Sequence, residues 1–273
     1  MAKILVSDKL GEEGVNLLRN HGEVDVKTGL SPEELLSIIG DYDALVVRSE
    51  TRVSSDVIEA GIKLQVIGRA GVGVDNIDLQ AATHKGIAVV NAPVGNIIAA
   101  AEHTVGLLLA LARNIPQANS SLKSGNWDRG AFTGVELRGK NIGIIGLGKV
   151  GSEVARRLSP FQISLFGYDP YISPNYARNL GIELLTMDQI LKNSDFITLH
   201  LPLTESTRNL IGDDQLRKMK PSVRVINAAR GGLINEDDLY QAIITGKIAG
   251  AAIDVFEKEP PGNHPLLKSD KVI

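Results

Sequence analysis

A glycine-rich turn between an apolar segment and a helix is the strongest constraint on how this chain folds. Residues 140–151 read KNIGIIGLGKVG, and the apolar run 142–145 is typical of a parallel strand that is covered on both faces. In the spacing G-x-G-x-x-G, Gly146 permits the tight turn, Gly148 lets a phosphate approach the backbone, and Gly151 lets the next helix pack close to the strand. The helix predicted over 150–158 would present its N-terminal N–H groups to that phosphate.

A second predicted strand, 163–168, ends in Asp169, which lies 18 residues after Gly151. A dinucleotide-binding Rossmann unit places the acid that binds the ribose at about this distance. Glycines in this spacing also occur as a plain turn in unrelated α/β folds, but the order of strand, glycines, helix, strand and acid favours dinucleotide binding. An acid at this position favours NAD, because a carboxylate would repel the 2′-phosphate of NADP.

The chain before this motif alternates short apolar strands with amphipathic helices. We predict strands at 4–7, 24–26, 44–47, 66–68 and 88–90, and helices at 12–20, 32–39, 57–60 and 76–85. Strands separated by helices imply a parallel sheet. This part has no glycine motif, so residues 1–94 are predicted to form a substrate-binding lobe and residues 95–273 the NAD-binding Rossmann lobe.

The second lobe is predicted to begin with a long helix over 97–113, which is apolar almost all round and is expected to be buried between the two lobes. After a polar stretch, 114–139, the strands are predicted at 142–145, 163–168, 183–185, 196–199, 223–227 and 248–255, with helices at 187–193, 213–219 and 236–245. Residues 271–273 look like the first half of another strand. The predicted fold class is therefore α/β, with two doubly wound parallel-sheet lobes, the first flavodoxin-like and the second a Rossmann lobe, joined by long helices.

Composition excludes several other classes of protein. The chain has 273 residues with a net charge of −3 and no basic block, so neither a nucleic acid nor a membrane surface is expected as a partner. It has no Cys, which rules out disulfides and thiolate nucleophiles, and no metal site is predicted. The first eight residues read as a strand followed by a polar turn rather than as a signal peptide, so we expect a cytoplasmic protein.

Polar residues at the ends of the later strands are candidates for chemistry, because ligands of open α/β sheets bind at the carboxyl ends of strands. Arg230 follows the strand predicted at 223–227 and offers a fork suited to a carboxylate. The strand at 248–255 carries Asp254 and leads to Glu259, and the strand at 196–199 leads to Leu201 and Pro202. Taken singly, Arg230 could be a surface ion-pair partner, Asp254 a helix cap and Glu259 a solvated acid.

Several stretches together resemble the D-isomer-specific 2-hydroxyacid dehydrogenases. The matching residues are 47–49 (VRS), 68–76 (GRAGVGVDN), 146–151 (GLGKVG), 168–170 (YDP), 227–232 (NAARGG) and 254–260 (DVFEKEP). They occur in the family's order and run almost from one end of the chain to the other. The resemblance implies an NAD-dependent oxidoreductase acting on a small 2-hydroxy acid.

The resemblance also implies roles for individual residues. Arg230 would bind the substrate carboxylate and polarise its carbonyl, while Glu259 would orient the catalytic His. On the cofactor side, Asp169 would hold the adenosine ribose and Asp254 the nicotinamide. The other residues implied in cofactor binding are Gly146, Gly148, Lys149, Val150, Gly151, Leu201, Pro202, Ala228, Ala229 and Arg230 itself. The substrate side would include Arg48, Ser49, Gly71 and Asn96, with Arg129 as a candidate phosphate contact.

One element of the family pattern is not found among these residues. The general acid/base of the family is a His in a Pro-His-Leu/Ile-Gly segment a little over 20 residues beyond the position of Glu259, which we expect to lie past Ile273 together with the return segment of the first lobe. None of the five His present fits that role. We expect His264 to lie in an exposed loop, His200 to be structural and His103 to be a hydrogen-bonded core residue.

Three readings of function remain open on the sequence. Arg48, Ser49 and Arg129 favour a phosphorylated 2-hydroxy acid as substrate. A glyoxylate or hydroxypyruvate reductase, or a D-lactate dehydrogenase, would use the same scaffold with different loops in the first lobe. A non-catalytic NAD-sensing corepressor could also retain these residues. The family is usually dimeric or tetrameric, so a homodimer or homotetramer is expected.

Overall fold

The computed structural model describes all residues from Met1 to Ile273. The chain divides into two compact units, Met1–Asn96 and Ile97–Ile273. The boundary predicted from the sequence lies near residue 94. Each unit has its own sheet, and the two are described in turn.

The first unit is built on a five-stranded parallel sheet. Its strands are β1 (Ala2–Val6), β2 (Gly22–Val26), β3 (Ala44–Val47), β4 (Val66–Arg69) and β5 (Ala88–Asn91). The strand order is β2-β1-β3-β4-β5, which is the order of the flavodoxin-like doubly wound fold. This confirms the predicted fold of the first lobe, with strand ends within two residues of those predicted.

Four helices connect these strands: α1 (Glu12–Arg19), α2 (Pro32–Ile38), α3 (Ser55–Ala60) and α4 (Leu79–His84). The hydroxyl of Ser31 accepts from the N–H of Glu34, whose carboxylate accepts from the N–H of Ser31, so a capping box fixes the start of α2. Helix α4 starts three residues later than predicted because Asp78 caps it by accepting from the N–H of Ala81. The residues before Asp78 are then free to form a loop at the edge of the sheet.

The second unit contains a six-stranded parallel sheet. Its strands are β6 (Asn141–Ile145), β7 (Ser164–Tyr168), β8 (Ile182–Leu184), β9 (Phe196–Leu199), β10 (Arg224–Asn227) and β11 (Gly250–Ile253). The order β8-β7-β6-β9-β10-β11 is that of a dinucleotide-binding Rossmann sheet, as predicted. Residue Val272 forms a parallel bridge with Ala251, so the predicted final strand pairs beside β11.

The helices of this unit are α5 (Ile97–Arg113), α6 (Ile115–Lys123), α7 (Lys149–Leu158), α8 (Pro174–Asn179), α9 (Met187–Asn193), α10 (Asp213–Lys218) and α11 (Glu236–Ile244). Adjacent residues of one strand enter different cores: Ile144 and Ile226 belong to a cluster with α5 and α7, while Ile145 and Val225 belong to a cluster with α9, α10 and α11. The sheet is therefore covered on both faces, which explains why its strands read as continuous apolar runs.

Two helices of the second unit were not predicted from the sequence. Helix α6 lies in the polar stretch and begins after Asn114, whose left-handed conformation (φ 53°) ends α5. Helix α8 is short and starts at a Ser173 cap. Helix α5 buries one face against the core through Ala101 and Leu108 and leaves Ile98 48% exposed. Its expected burial between the two lobes stays a prediction.

No single helix is long and apolar enough to cross a membrane. Helices α5 and α6 reach the required length and composition only when they are taken together, across a bend of 63°.

Asp195 joins three strands at the amino-terminal edge of the second sheet. Its carboxylate accepts from the N–H of Asn141 at the start of β6 and pairs with Lys220, which precedes β10, at 2.9 Å each. Burial by itself would raise the pKa of Asp195. The hydrogen bond from Asn141 and the ammonium of Lys220 outweigh that effect and hold the pKa below the usual value for Asp.

We predict that Asp195→Asn lowers the free energy of unfolding by about 1–2 kcal/mol near neutral pH, because a charge-assisted contact is lost. The folded-state pKa lies below the unfolded one, so this contribution is complete above the unfolded pKa of about 3.9 and disappears as the pH falls through the folded value. Urea unfolding at about pH 7 and about pH 3 should therefore show a difference between wild type and variant that shrinks in acid.

The matched control is Asp188→Asn. Asp188 also pairs with a lysine, Lys218, at 2.8 Å, but its side chain is 60% exposed. Its loss should change stability by no more than about 0.5 kcal/mol. Equal losses for the two variants would contradict the role given to Asp195.

Candidate active site

The strands of the second sheet end in one row. Backbone pairing aligns Ile145 of β6 with Tyr168 of β7 and with Leu199 of β9, and it aligns Asn227 of β10 with Leu199 and with Ile253 of β11. Each of these is the last residue of its strand. The residues that follow therefore lie along one edge of the sheet, and the strand order reverses between β6 and β9, where such sheets bind ligands.

The glycine motif forms the turn between β6 and α7. Gly146 has φ +92°, and a Cβ on it would lie 2.5 Å from the carbonyl oxygen of His200, so the position requires glycine twice over. A Cβ on Gly151 would overlap the carbonyl oxygen of Gly146, so glycine at this position lets the helix pack close to the turn. Gly148, by contrast, has nothing within 4 Å of its Cβ position. The backbone there is open to a ligand at the start of α7, where Lys149 is exposed and Val150 is half-buried.

Asp169 lies directly after β7 and is half-buried. One carboxylate oxygen accepts from the N–H of Leu147 in the glycine turn at 2.8 Å, and the other accepts from the N–H of Tyr171 at 2.9 Å. The acid is thus fixed beside the glycine turn, in the position that the ribose-binding acid occupies in a Rossmann unit.

The loop after β9 lies against the glycine turn through the backbone of His200 and the side chain of Leu201, and Pro202 is exposed beyond them. The imidazole Nε2 of His200 lies 3.0 Å from the hydroxyl of Thr198. Burial lowers the pKa of His200 to about 4. An imidazole with that pKa accepts a proton poorly near neutral pH, which agrees with a structural role.

The turn after β10 is held by a side chain that the sequence analysis did not single out. Asn227 is 2% exposed; its amide oxygen accepts from the N–H of Ala229 at 3.1 Å, and its amide nitrogen donates to the carbonyl oxygen of Arg230 at 2.8 Å. These bonds close the turn through Ala228 and Ala229 and fix the backbone of Arg230. The half-buried guanidinium of Arg230 donates to the carbonyl oxygen of Ala229 at 2.6 Å. In the sequence, Asn227 stands at the end of a buried strand as the first residue of the stretch 227–232, and neither signal gives it a role of its own.

The turn that carries Arg230 touches the loop that carries Glu259. A Cβ on Gly231 would overlap the backbone carbonyl of Phe256, so glycine is needed for the two segments to meet. Glu259 is exposed, and its carboxylate accepts from the N–H of Phe256 at 3.1 Å. The structure therefore brings Arg230 and Glu259 to neighbouring loops on the same edge.

The sequence predicted that His264 lies in an exposed loop, and this prediction is wrong. Its side chain is 19% exposed, and its Nε2 lies 3.1 Å from Glu236 at the start of α11. Its other ring nitrogen accepts from the N–H of Leu266. Glu236 also accepts from the N–H of Glu257 at 2.6 Å. The pair of His264 and Glu236 therefore anchors the segment that contains Glu259. The sequence could not predict the position of His264, because its partner lies on α11 and is distant in the chain.

His103 is likewise not a core residue. It lies on the exposed face of α5 and pairs through Nε2 with Asp254 at 3.1 Å, with side-chain exposures of 52% and 45%. Asp254 follows β11, and its N–H donates to the carbonyl oxygen of Asn227. The carboxylate expected to position the nicotinamide is thus held at the sheet edge by contacts from α5 and β10.

The residues predicted on the substrate side lie at the carboxyl ends of strands in the first unit. Arg48 and Ser49 follow β3, Gly71 follows β4 and Asn96 lies after β5; Arg48, Ser49 and Asn96 are exposed. Arg129 belongs to the second unit, where it is exposed in the segment after α6. The structure therefore groups Arg48, Ser49 and Gly71 on adjacent strand ends and leaves Arg129 on a separate segment.

The fold and the glycine turn define the second unit as a dinucleotide-binding domain. Residues 105–273 match the family model described as D-isomer specific 2-hydroxyacid dehydrogenase, NAD binding domain. The chain belongs to this family, which confirms the resemblance found in the sequence.

Three known proteins illustrate the similarity. The chain is 56% identical, over 274 aligned positions, to a D-3-phosphoglycerate dehydrogenase of Methanocaldococcus jannaschii, with 100% of this chain and 52% of that protein covered. It is 53% identical to the D-3-phosphoglycerate dehydrogenase of Archaeoglobus fulgidus, covering 99% and 52%. The crystal structure of a glyoxylate reductase from Paecilomyes thermophila superposes with a TM-score of 0.91 at 29% identity, covering 100% of this chain and 87% of that one. The chain thus spans about half the length of the curated relatives it matches.

We predict that alanine at two of the motif glycines has different consequences. Gly148→Ala should leave the free energy of unfolding within about 0.5 kcal/mol of wild type, because its Cβ meets no protein atom, yet it should weaken NAD binding. Gly151→Ala should lower both stability and NAD affinity, because its Cβ overlaps the backbone of Gly146. Urea unfolding and calorimetric titration with NAD measure the two effects. Unchanged NAD affinity in Gly148→Ala would contradict a pyrophosphate at this turn.

Proposed function

We propose that this chain carries out the reaction of a D-3-phosphoglycerate dehydrogenase, the NAD-dependent oxidation of the C2 hydroxyl of 3-phosphoglycerate at the start of serine biosynthesis. The observation that carries the proposal is the alignment of strand ends, which places the glycine turn, Asp169 and the Arg230 turn on one edge of the second sheet. The relatives at 56% and 53% identity support the choice of substrate.

The residues present fit NAD. The open space at Gly148 and the free start of α7 suit a pyrophosphate, and Asp169 stands where a ribose diol would be bound and a 2′-phosphate repelled. Asp254, with the backbone of Ala228 and Ala229, is proposed to orient the nicotinamide. When it is bound, the cofactor supplies the acceptor for a hydride from C2 of the substrate.

The protein's own groups then position and polarise the substrate. Arg230 would bind the carboxylate and stabilise the charge on the C2 oxygen, because a guanidinium offers two parallel N–H donors. Glu259, on the adjoining loop, would orient the family's acid/base His and stabilise its protonated form. We propose that the first unit is the substrate-binding lobe, with Arg48, Ser49, Gly71 and Asn96 contributing to the site and Arg129 contacting the phosphate.

The nearest alternative is a reductase for a 2-oxo acid without a phosphate. The likeness to the glyoxylate reductase structure favours it, since the scaffold is shared. Arg48 and Arg129 favour the phosphorylated substrate, because two additional cations suit a second anionic group. Initial rates with 3-phosphoglycerate, glycerate and lactate separate these readings, and a lack of turnover with all three would favour an NAD-sensing protein instead.

We predict that Arg230→Lys in the full-length gene product lowers kcat/KM about 100-fold or more, which is on the order of 3 kcal/mol of transition-state stabilisation. Lysine keeps the charge but loses the bidentate fork. The matched control is Arg224→Lys at the start of β10, the strand that precedes the Arg230 turn, which should retain near-native kinetics. Near-native kinetics in Arg230→Lys, with NAD binding intact, would remove Arg230 from the catalytic set.

We further propose that the second unit forms a homodimer. Helix α6 and the following segment expose apolar side chains, with Ile115 53%, Leu122 55% and Trp127 77% exposed. Such residues on neighbouring segments favour a protein interface. Light scattering should give a dimer for wild type and a lower mass for Leu122→Glu. Leu17→Glu in the first unit, where the side chain is 62% exposed, should leave the mass unchanged. A monomeric wild type at micromolar concentration would contradict the proposal.

A further inference from the structure

Three adjacent strands of the first unit end beside one short loop. Strand β3 lies between β1 and β4, and the loop Arg48–Thr51 follows β3 directly. Val46 of β3 is aligned with Val6 of β1 and with Gly68 of β4. Segments that follow β1 and β4 therefore pass on either side of the loop that carries Arg48 and Ser49.

On the β1 side, a buried carboxylate accepts hydrogen bonds from N–H groups of the loop. Asp8 is 2% exposed, and one of its oxygens accepts from the N–H of Arg48 at 2.5 Å and from the N–H of Thr51 at 3.2 Å. Its second oxygen accepts from the hydroxyl of Thr51, which also lies 3.0 Å from the hydroxyl of Ser7. A buried carboxylate with three donors is held firmly, because each donor bond to a charged group is strengthened away from water.

On the β4 side, a side-chain amide donates to carbonyl groups of the same loop. The side-chain nitrogen of Asn76 donates to the carbonyl oxygen of Arg48 at 2.8 Å and to that of Thr51 at 2.7 Å. The same two loop residues are thus bound through their N–H groups by Asp8 and through their carbonyl groups by Asn76. The guanidinium of Arg48 also donates to the carbonyl oxygen of Lys9 at 3.3 Å.

Asp8 and Asn76 fix the backbone of the loop and do not contact its outward side chains. Arg48 and Ser49 are exposed, and none of the contacts of Asp8 or Asn76 uses their side chains. Asp8 and Asn76 bind four backbone groups, the N–H and the carbonyl of both Arg48 and Thr51. A loop that only connects β3 to α3 has no need for so many backbone contacts from buried or half-buried side chains. Such an arrangement is typical of a backbone that must present particular side chains in one position.

We propose that Asp8 and Asn76 are positioning residues for substrate binding, which clamp the Arg48–Thr51 loop so that Arg48 and Ser49 meet the anionic substrate. The inference rests on the proposed function, since Arg48 and Ser49 are the proposed substrate contacts. Asp8 and Asn76 touch no substrate themselves. Loss of either should weaken substrate binding and leave the cofactor domain unaffected.

The test uses four variants of the full-length gene product beside Arg48→Ala. Asp8→Ala removes the acceptors, and Asn76→Asp keeps the shape but puts a carboxylate oxygen, in place of the amide nitrogen, against both carbonyl groups. Asp8→Asn is the conservative rescue, because one amide oxygen can still accept both N–H groups and the amide nitrogen can donate to the hydroxyl of Thr51. Asp43→Ala is the matched control: Asp43 accepts from the N–H of Lys3 at 2.7 Å but lies at the opposite end of β3.

Three quantities are measured: amide hydrogen exchange in a peptide covering residues 47–52, KM and kcat with 3-phosphoglycerate, and Kd for NAD. Asp8→Ala and Asn76→Asp should speed exchange in that peptide and raise KM about tenfold or more, with a smaller change in kcat and NAD affinity within about twofold. Asp8→Asn and Asp43→Ala should resemble wild type in exchange and KM. If Asp8→Ala fails to fold, Asn76→Asp and Asp8→Asn carry the comparison.

The outcomes distinguish the inference from the function on which it rests. If Arg48→Ala raises KM but Asp8→Ala and Asn76→Asp do not, the positioning inference is wrong and the proposed substrate contact stands. If exchange in the peptide is unchanged in both clamp variants, the clamp itself is wrong. If Arg48→Ala leaves KM unchanged, Arg48 does not contact the substrate, and the proposed role of the clamp in substrate binding is wrong as well. Faster hydrogen exchange in the clamp variants would then show only that Asp8 and Asn76 hold the loop.

Discussion

The in-register parallel pairing of each sheet is the constraint on which most of the candidate site residues depend. Parallel hydrogen bonding carries all strands in one direction, so their carboxyl ends meet at one edge. In the second unit this edge collects the glycine turn, Asp169, Arg230 and Asp254 from four different strands. The apolar strands supply no chemistry, but they fix where the chemical groups emerge.

The loops at these edges are shaped by buried or half-buried polar side chains that bind backbone groups. Asn227 closes the Arg230 turn, Glu236 holds the segment with Glu259, and Asp8 with Asn76 holds the Arg48 loop. Beyond the end of a strand, a buried backbone N–H or carbonyl no longer has a partner in the sheet. It needs another hydrogen-bond partner, because an unpaired buried polar group destabilises the fold. These side chains meet that need and, in doing so, fix the direction of the next exposed residue.

Glycine has two distinct uses in this architecture. Gly151 and Gly231 allow two backbones to approach, because any side chain there would overlap a neighbouring carbonyl. Gly148 instead leaves open space on the surface of the turn. The same residue type therefore serves packing at one position and ligand approach at another, and only the surrounding atoms distinguish the two.

The sequence by itself determined the two α/β sheets, most strand positions and the dinucleotide motif, because apolar runs, helix caps and glycine spacing are local signals. It did not predict α6, whose polar residues carry no strong period, and it misplaced His103 and His264, whose partners Asp254 and Glu236 are distant in the chain. The roles of Asp8, Asn76 and Asn227 were decided only by the tertiary structure. Their partners include backbone groups in neighbouring loops and turns. Every residue has such groups, so the pattern of side chains in the sequence does not show which of them a polar side chain will bind.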